Sequence, residues 1–218
     1  MPDAVLLDID GTLVRSNDAH ARAWIETFAE AGFTVPFERV RPLIGMGSDK
    51  LVPALVPVRD AGAIERLAER RSAIFRERHL PHLEPTRGSA ALVARLRAER
   101  IRAVVATSAK EEEVRELLAI AGAPELAETA TSGDDVERSK PDPDVVHAAL
   151  GRTGVSPERV LMIGDTPWDI EAAARAGVGT IALRSGGWKD ADLPGARAIY
   201  ADPADLLAHW DESPLGRR

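Results

Sequence analysis

There is no cysteine among the 218 residues, which excludes disulfides, thiolate zinc sites and a thiol nucleophile. Long hydrophobic runs are missing too. The apolar stretch at residues 4–7 is far too short for a signal peptide or a membrane span, and the start Met1-Pro2-Asp3 lacks a basic region. Cytoplasmic placement is the default that follows. Positive charge is scarce: 28 Lys and Arg stand against 35 Asp and Glu, a formal net charge of -7. Such a surplus of acid repels nucleic acid and anionic lipid at long range, so neither nucleic acid nor a membrane is expected as partner. A phosphate ester would need local neutralisation by a cation. Repeats and low-complexity segments are also absent. What is present, 44% hydrophobic and 29% charged residues evenly spread, describes a globular protein with a disordered tail only from residue 211 onward. The length suits one large domain or a core domain with a smaller insert.

The apolar run 4–7 ends in polar and glycine residues, as a buried strand feeding a loop does. Residues 17–79 then read as helical throughout. Asn17 or Asp18 can cap a helix whose apolar positions Ala21, Trp24, Ile25 and Phe28 follow 3- and 4-residue steps up to Gly32. A short helix at 35–42, another capped by Ser48, and a longer one at 61–78 follow. After Pro81 and Pro85 the pattern alternates: strands at 101–106, 127–131, 160–163, 180–183 and 198–200, helices at 89–99, 110–121, 143–152, 168–176 and 203–210. That alternation predicts an α/β fold, a doubly wound, Rossmann-like parallel sheet with helices on both faces. Residues 1–14 and 84–218 would form this core, with 15–83 projecting as an inserted α-helical cap. Ligands of such sheets sit at the carboxyl ends of the strands.

Four segments at those ends carry reactive groups. Asp8 and Asp10 follow the first strand, and Gly11 allows a turn tight enough for main-chain N–H groups to face an anion. One carboxylate of such a pair can attack phosphorus while the other exchanges a proton. An ordinary polar loop or a calcium loop has a similar look, although Thr12, Val14 and Asn17 do not supply a calcium pattern. Thr107 and Ser108 precede a helix, where they suit a phosphoryl oxygen or serve as a plain cap. Lys140, in Ser139-Lys140-Pro141-Asp142-Pro143, either aims its ammonium at a phosphate or is a solvated turn lysine. Asp165 and Asp169 flank the start of a helix with Pro167 in its first turn, either as magnesium ligands together with Asp8 or as capping residues. Nucleophile, anion cradle, cation and metal ligands thus fall in one order along predicted strand ends.

This order resembles the haloacid dehalogenase superfamily, whose four motifs stand here as DIDGTL, TS, the lysine of SKPDP, and GDTPWD. The helical insertion is similar in placement to the cap of the phosphoglycolate phosphatase and β-phosphoglucomutase branch. The resemblance implies that Asp8 is phosphorylated, Asp10 is the acid and base, and Thr107 and Lys140 hold the phosphoryl group. It also implies that Mg2+ is bound by Asp8, the main-chain carbonyl of Asp10 and Asp165, with Asp169 supporting directly or through water. True dehalogenases of the superfamily typically lack the second aspartate, so Asp10 favours phosphate chemistry.

The mutases share the segment His20-Ala21-Arg22-Ala23-Trp24, which therefore decides nothing between transfer and hydrolysis. They usually carry an arginine near Ser48 for a second phosphate, whereas residues 43–50 here offer only Lys50 as a base. The expected activity is thus hydrolysis of a small-molecule phosphomonoester, phosphoglycolate phosphatase-like. A sugar-phosphate mutase and a receiver-like phospho-accepting module are the alternatives. Gly11, Ser108, His20, Gly47 and Lys50 are the expected phosphate or substrate contacts. His20 and Trp24 share a helix face, which either borders the site or packs within the cap. The arginines from Arg66 to Arg78 read as a solvated helix face. A monomer or a homodimer is equally compatible with the sequence.

Overall fold

The structure is a computed structural model and describes residues 1–217. Five parallel strands, β1 (Ala4–Leu7), β2 (Arg102–Val105), β3 (Val160–Gly164), β4 (Gly179–Leu183) and β5 (Ala198–Tyr200), form one sheet in the order β2-β1-β3-β4-β5. The unbroken apolar run of β1 follows from its position inside that sheet, with a strand on either side and both faces covered. Its side chains alternate as a pleat requires: Val5 and Leu7 join one hydrophobic cluster, Ala4 and Leu6 another on the opposite face. Leu7 is level with Val105 on one side and Ile163 on the other. The three chain segments that leave these strands therefore emerge side by side.

Helices α1 (Asn17–Glu30), α2 (Phe37–Val40), α3 (Ser48–Leu55) and α4 (Ala61–Ile74) lie between β1 and α5 (Ser89–Ala98). Trp24, Phe28, Val40, Leu51 and Val52 bury one another in a cluster of their own. The chain leaves and re-enters the sheet through a narrow ribbon, where Val14 bridges Pro85, Arg15 N–H donates to Glu84 at 3.0 Å and Thr86 N–H donates to Leu13 at 2.9 Å. Helices α6 (Glu111–Ile120), α7 (Asp144–Thr153), α8 (Pro167–Arg175) and α9 (Pro203–Ala208) complete the chain.

Some local expectations are corrected. Residues expected as a strand at 127–131 are mostly a 3-10 helix, Pro124–Thr129, because a proline opens the segment. Only Thr131 reaches the sheet, as an isolated bridge to Ala106. The first helix is capped by Ser16 rather than Asn17 or Asp18, and α3 by Gly47 rather than Ser48, neither with a side-chain capping bond. The expected disordered tail is corrected for residues 212–217, where Ser213 and Leu215 are fully buried and Leu215 belongs to the main core, while residue 218 lies outside the described residues. No helix among the described residues is long and apolar enough to cross a membrane.

Candidate active site

β1 delivers Asp8, β2 delivers Thr107 and β3 delivers Asp165 to one end of the sheet, where all three are buried. Lys140 reaches them from the loop before α7. Its ammonium is almost wholly enclosed and donates to Asp8 Oδ1 at 2.7 Å, Asp169 Oδ1 at 2.7 Å and the Ala106 carbonyl at 2.8 Å. All three ammonium protons are thereby used. Burial alone would lower the lysine's pKa, but Asp169 and Asp8 outweigh it and hold the group firmly protonated. Asp169 is anchored from its other oxygen as well. Thr166 and Asp169 form a capping box at the start of α8, with the Thr166 hydroxyl donating at 2.7 Å and its N–H at 3.0 Å.

Asp8, Asp165 and Asp169 each bring a carboxylate oxygen within 4.8 Å of the others. Burial raises the pKa of Asp8 and Asp165 above the usual carboxylate range, and the neighbouring charges raise them further. Lys140 opposes the rise at Asp8, while hydrogen bonds from Asn17 and Thr12 oppose it at Asp165. Of these three carboxylates the one ammonium bonds two, Asp8 and Asp169, which leaves an all-oxygen donor set with surplus negative charge. Such a set fits a hard divalent cation. The Asp10 carboxylate is not part of it. Gly11 adopts a left-handed φ of +78°, and a Cβ there would lie 2.2 Å from an Asp165 oxygen, so only glycine lets the turn pass this close.

Asp10 has partners of its own. Its Oδ1 accepts from the Ser16 hydroxyl and lies 2.8 Å from His20 Nε2. Arg71 Nη1, a donor only, lies 3.2 Å from His20 Nδ1, so Nδ1 accepts and Nε2–H donates to Asp10. Burial pushes the Asp10 carboxyl up, but His20 and Ser16 together hold it below the usual range. His20 is itself fixed by stacking on Phe75, ring centroids 3.9 Å apart. Both readings of the His20 face therefore meet in one residue, which packs within the helical segment and touches Asp10.

The remaining expected contacts fall differently. Thr107, Ser108 and His20 line the same cleft as Asp8 and Asp10, and the buried Ser108 hydroxyl has no partner. The Gly11 N–H is given to Val14 O at 2.7 Å instead of facing an anion. Lys50 is drawn 2.7 Å from Asp142 and does not line the cleft, because the carboxylate behind Lys140 competes for it. Gly47 packs against Ser139, where a Cβ would sit 2.5 Å from the serine Cβ. Asp49 accepts from the Ser139 hydroxyl at 2.5 Å. The loop before α3 thus grips the loop that carries Lys140.

Arg66, Arg70, Arg76 and Arg78 are exposed, as a solvated face requires, and Arg71 alone of these arginines departs from that reading. It is 8% exposed, its Nη1 donates to both oxygens of the fully buried Glu113 at 2.9 and 3.0 Å, and both residues line the cleft. The 3.6-residue period would have put only apolar residues inward, and the partner that draws Arg71 in lies 42 residues away. A fully buried glutamate was not legible in the acidic run 111–113.

A family model described as haloacid dehalogenase-like hydrolase matches residues 2–177. The chain belongs to this hydrolase family. Among relatives in sequence, a phosphoglycolate phosphatase of Rhodospirillum rubrum is 32% identical over 94% of this chain and 90% of its own. The protein CbbY of Cereibacter sphaeroides is 31% identical over 94% of each. Among solved structures, a hydrolase from Pseudomonas syringae superposes with a TM-score of 0.87 at 29% identity, covering 96% of this chain and 98% of that one. The haloacid dehalogenase-like hydrolase assignment bears out both the resemblance and the parallel α/β sheet expected from the sequence.

Proposed function

We propose that this hydrolase is a magnesium-dependent phosphatase that cleaves small-molecule phosphate monoesters through an aspartyl phosphate on Asp8. The observation that carries the reading is the buried Lys140 ammonium held 2.7 Å from both Asp8 and Asp169, with Asp165 alongside. A lysine so enclosed compensates charge that would otherwise make the pocket hostile to an anion. Held by Asp8, Asp165 and Asp169, magnesium would supply the further positive charge that an incoming phosphoryl group needs. The relative named a phosphoglycolate phosphatase supports phosphate-ester chemistry.

The chain's own residues carry the proton and phosphoryl steps. An Asp8 oxygen attacks phosphorus, the bond to the ester oxygen breaks, and Asp10 protonates that oxygen as it departs. Water then attacks the aspartyl phosphate while Asp10 takes its proton, releasing inorganic phosphate and restoring the Asp8 carboxylate. The bonds from Ser16 and His20 suit the second half, when Asp10 is a base. In the first half Asp10 needs a proton, which loss of those bonds on substrate entry would favour. Thr107 holds the phosphoryl oxygens during transfer, and Lys140 does so by turning to them the proton it gives Asp8 at rest.

The cavity over Asp8 is about 40 Å3, room for roughly three waters and too little for a sugar phosphate. The helical segment therefore acts as a cap that opens for substrate and closes to exclude bulk water. Hydrolysis rather than intramolecular transfer is supported by Lys50, the one base of its loop, being engaged by Asp142. The test is turnover of an aryl phosphate with Mg2+: Asp8→Asn abolishes it and Asp10→Asn slows it by orders of magnitude. Wild-type turnover by Asp8→Asn would remove the covalent mechanism.

A further inference from the structure

The cleft that contains Asp8 and Asp10 has one further pair of charged walls, Arg71 from α4 and Glu113 from α6. Both are nearly or fully buried and joined at 2.9 and 3.0 Å through one guanidinium nitrogen. The guanidinium lies 5.6 Å from the Trp24 ring centroid and 5.9 Å from that of Phe75, so it is held in place. Its charge is already balanced. A second phosphate or a carboxylate on the substrate would meet no surplus cation here and would approach the Glu113 carboxylate as well. Arg71 and Ser108 both line this cleft, and each has one buried polar atom without a partner, Nε and the hydroxyl. They offer a donor and a rotatable donor-acceptor, with the Glu113 carboxylate nearby as an acceptor, a set matched by hydroxyl groups.

We infer that the Arg71–Glu113 pair makes this cleft selective for phosphate esters whose organic part is neutral and hydroxylated, and selective against esters bearing a second anionic group. The inference rests on the phosphatase reading above and narrows its substrate class. It separates the substrate from phosphoglycolate, which carries a carboxylate beside its phosphate. Glu113 sets the selectivity by cancelling the charge that would otherwise attract that carboxylate.

The experiment compares kcat/KM with Mg2+ for glycerol phosphate and for phosphoglycolate, using an aryl phosphate as the measure of basic phosphatase activity. The wild type should prefer glycerol phosphate by tenfold or more. Glu113→Gln leaves Arg71 uncompensated and should shift the ratio toward phosphoglycolate by about tenfold, the factor that ~1.4 kcal/mol represents. Because Glu113 is fully buried, the variant is scored by the ratio of the two esters, which partial loss of folded enzyme does not move. The wild-type preference decides by itself if the variant does not fold. Turnover of the aryl phosphate together with equal or better use of phosphoglycolate by the wild type would overturn the inference alone. Failure to turn over any of the three esters would overturn the phosphatase reading and this inference with it.

Discussion

Replacing Lys140 with methionine keeps an unbranched, buried side chain and removes its charge. The side chain is 1% exposed and holds two carboxylates at 2.7 Å, and no other cation among the described residues pairs with Asp8, Asp165 or Asp169. Breaking a buried ion pair from one side costs about 3–5 kcal/mol. Part of this is recovered by proton uptake, because Asp8 and Asp165 already bind protons more tightly than ordinary carboxylates, so the loss should sit near ~3 kcal/mol. For a chain of this size each kcal/mol moves Tm by about 2–4 °C, which gives a fall of roughly 6–12 °C.

The sign of the pH dependence follows from the same groups. Their folded-state pKa values lie above the unfolded value of 3.8, so stability is fullest below that pH and is lost as pH rises through the raised values. Lys140→Met raises Asp8 further from its value of about 8, so the added loss opens only as pH passes that value, and the Tm deficit should be larger at pH 9 than at pH 5. The assay is thermal unfolding at both pH values in the presence of a chelator, repeated with excess Mg2+. Magnesium should restore part of the loss by supplying charge among the same carboxylates. A variant that melts within 2 °C of wild type at both pH values would refute the charge-compensation argument.

The wild type should itself gain more Tm from Mg2+ at pH 8 than at pH 5, since protons compete with the cation for Asp8 and Asp165; an equal gain at both would count against those ligands. Asp49→Ala removes the acceptor of the Ser139 hydroxyl, and with Asp49 41% exposed the loss is about 1 kcal/mol. Steady-state kinetics should then give a roughly fivefold drop in kcat/KM with little change in Tm, and unaltered kinetics would disconnect this contact from closure. Gly11→Ala places a methyl group 2.2 Å from an Asp165 oxygen on a left-handed backbone. Activity should fall by more than about a hundredfold while circular dichroism remains native, and near-normal activity would show that the turn can yield.

Much of the architecture was legible because it is local. The strand 4–7 is observed with the expected bounds, and β5 likewise, since short apolar runs closed by turn residues leave few alternatives. Asp8, Thr107, Lys140, Asp165 and Asp169 could be read together because strand ends converge in a parallel sheet. What escaped depends on contacts between distant segments. Arg71 points inward because Glu113 is there to receive it, and Lys50 turns aside because Asp142 lies across the seam. Neither partner lies within a helical turn of its mate, so no periodicity carries the information. The segment 127–131 failed for a different reason: beyond its 3-10 turn only Thr131 meets the sheet, donating its N–H to Val105 and accepting from the Thr107 N–H, too little to form a strand.

The ribbon at Val14 and Pro85 has a consequence for how such a chain can be altered. Because the two crossings of the helical segment run side by side and are already hydrogen-bonded, whatever lies between them is a loop whose ends are closed in advance. Doubling the length of a flexible loop costs only about 0.6 kcal/mol in closure entropy. Insertions of quite different size could be spliced in at this neck without disturbing the strand that bears Asp8. A new substrate preference is therefore reachable by exchanging one cassette, provided the newcomer supplies partners for Asp10 and for the loop of Ser139.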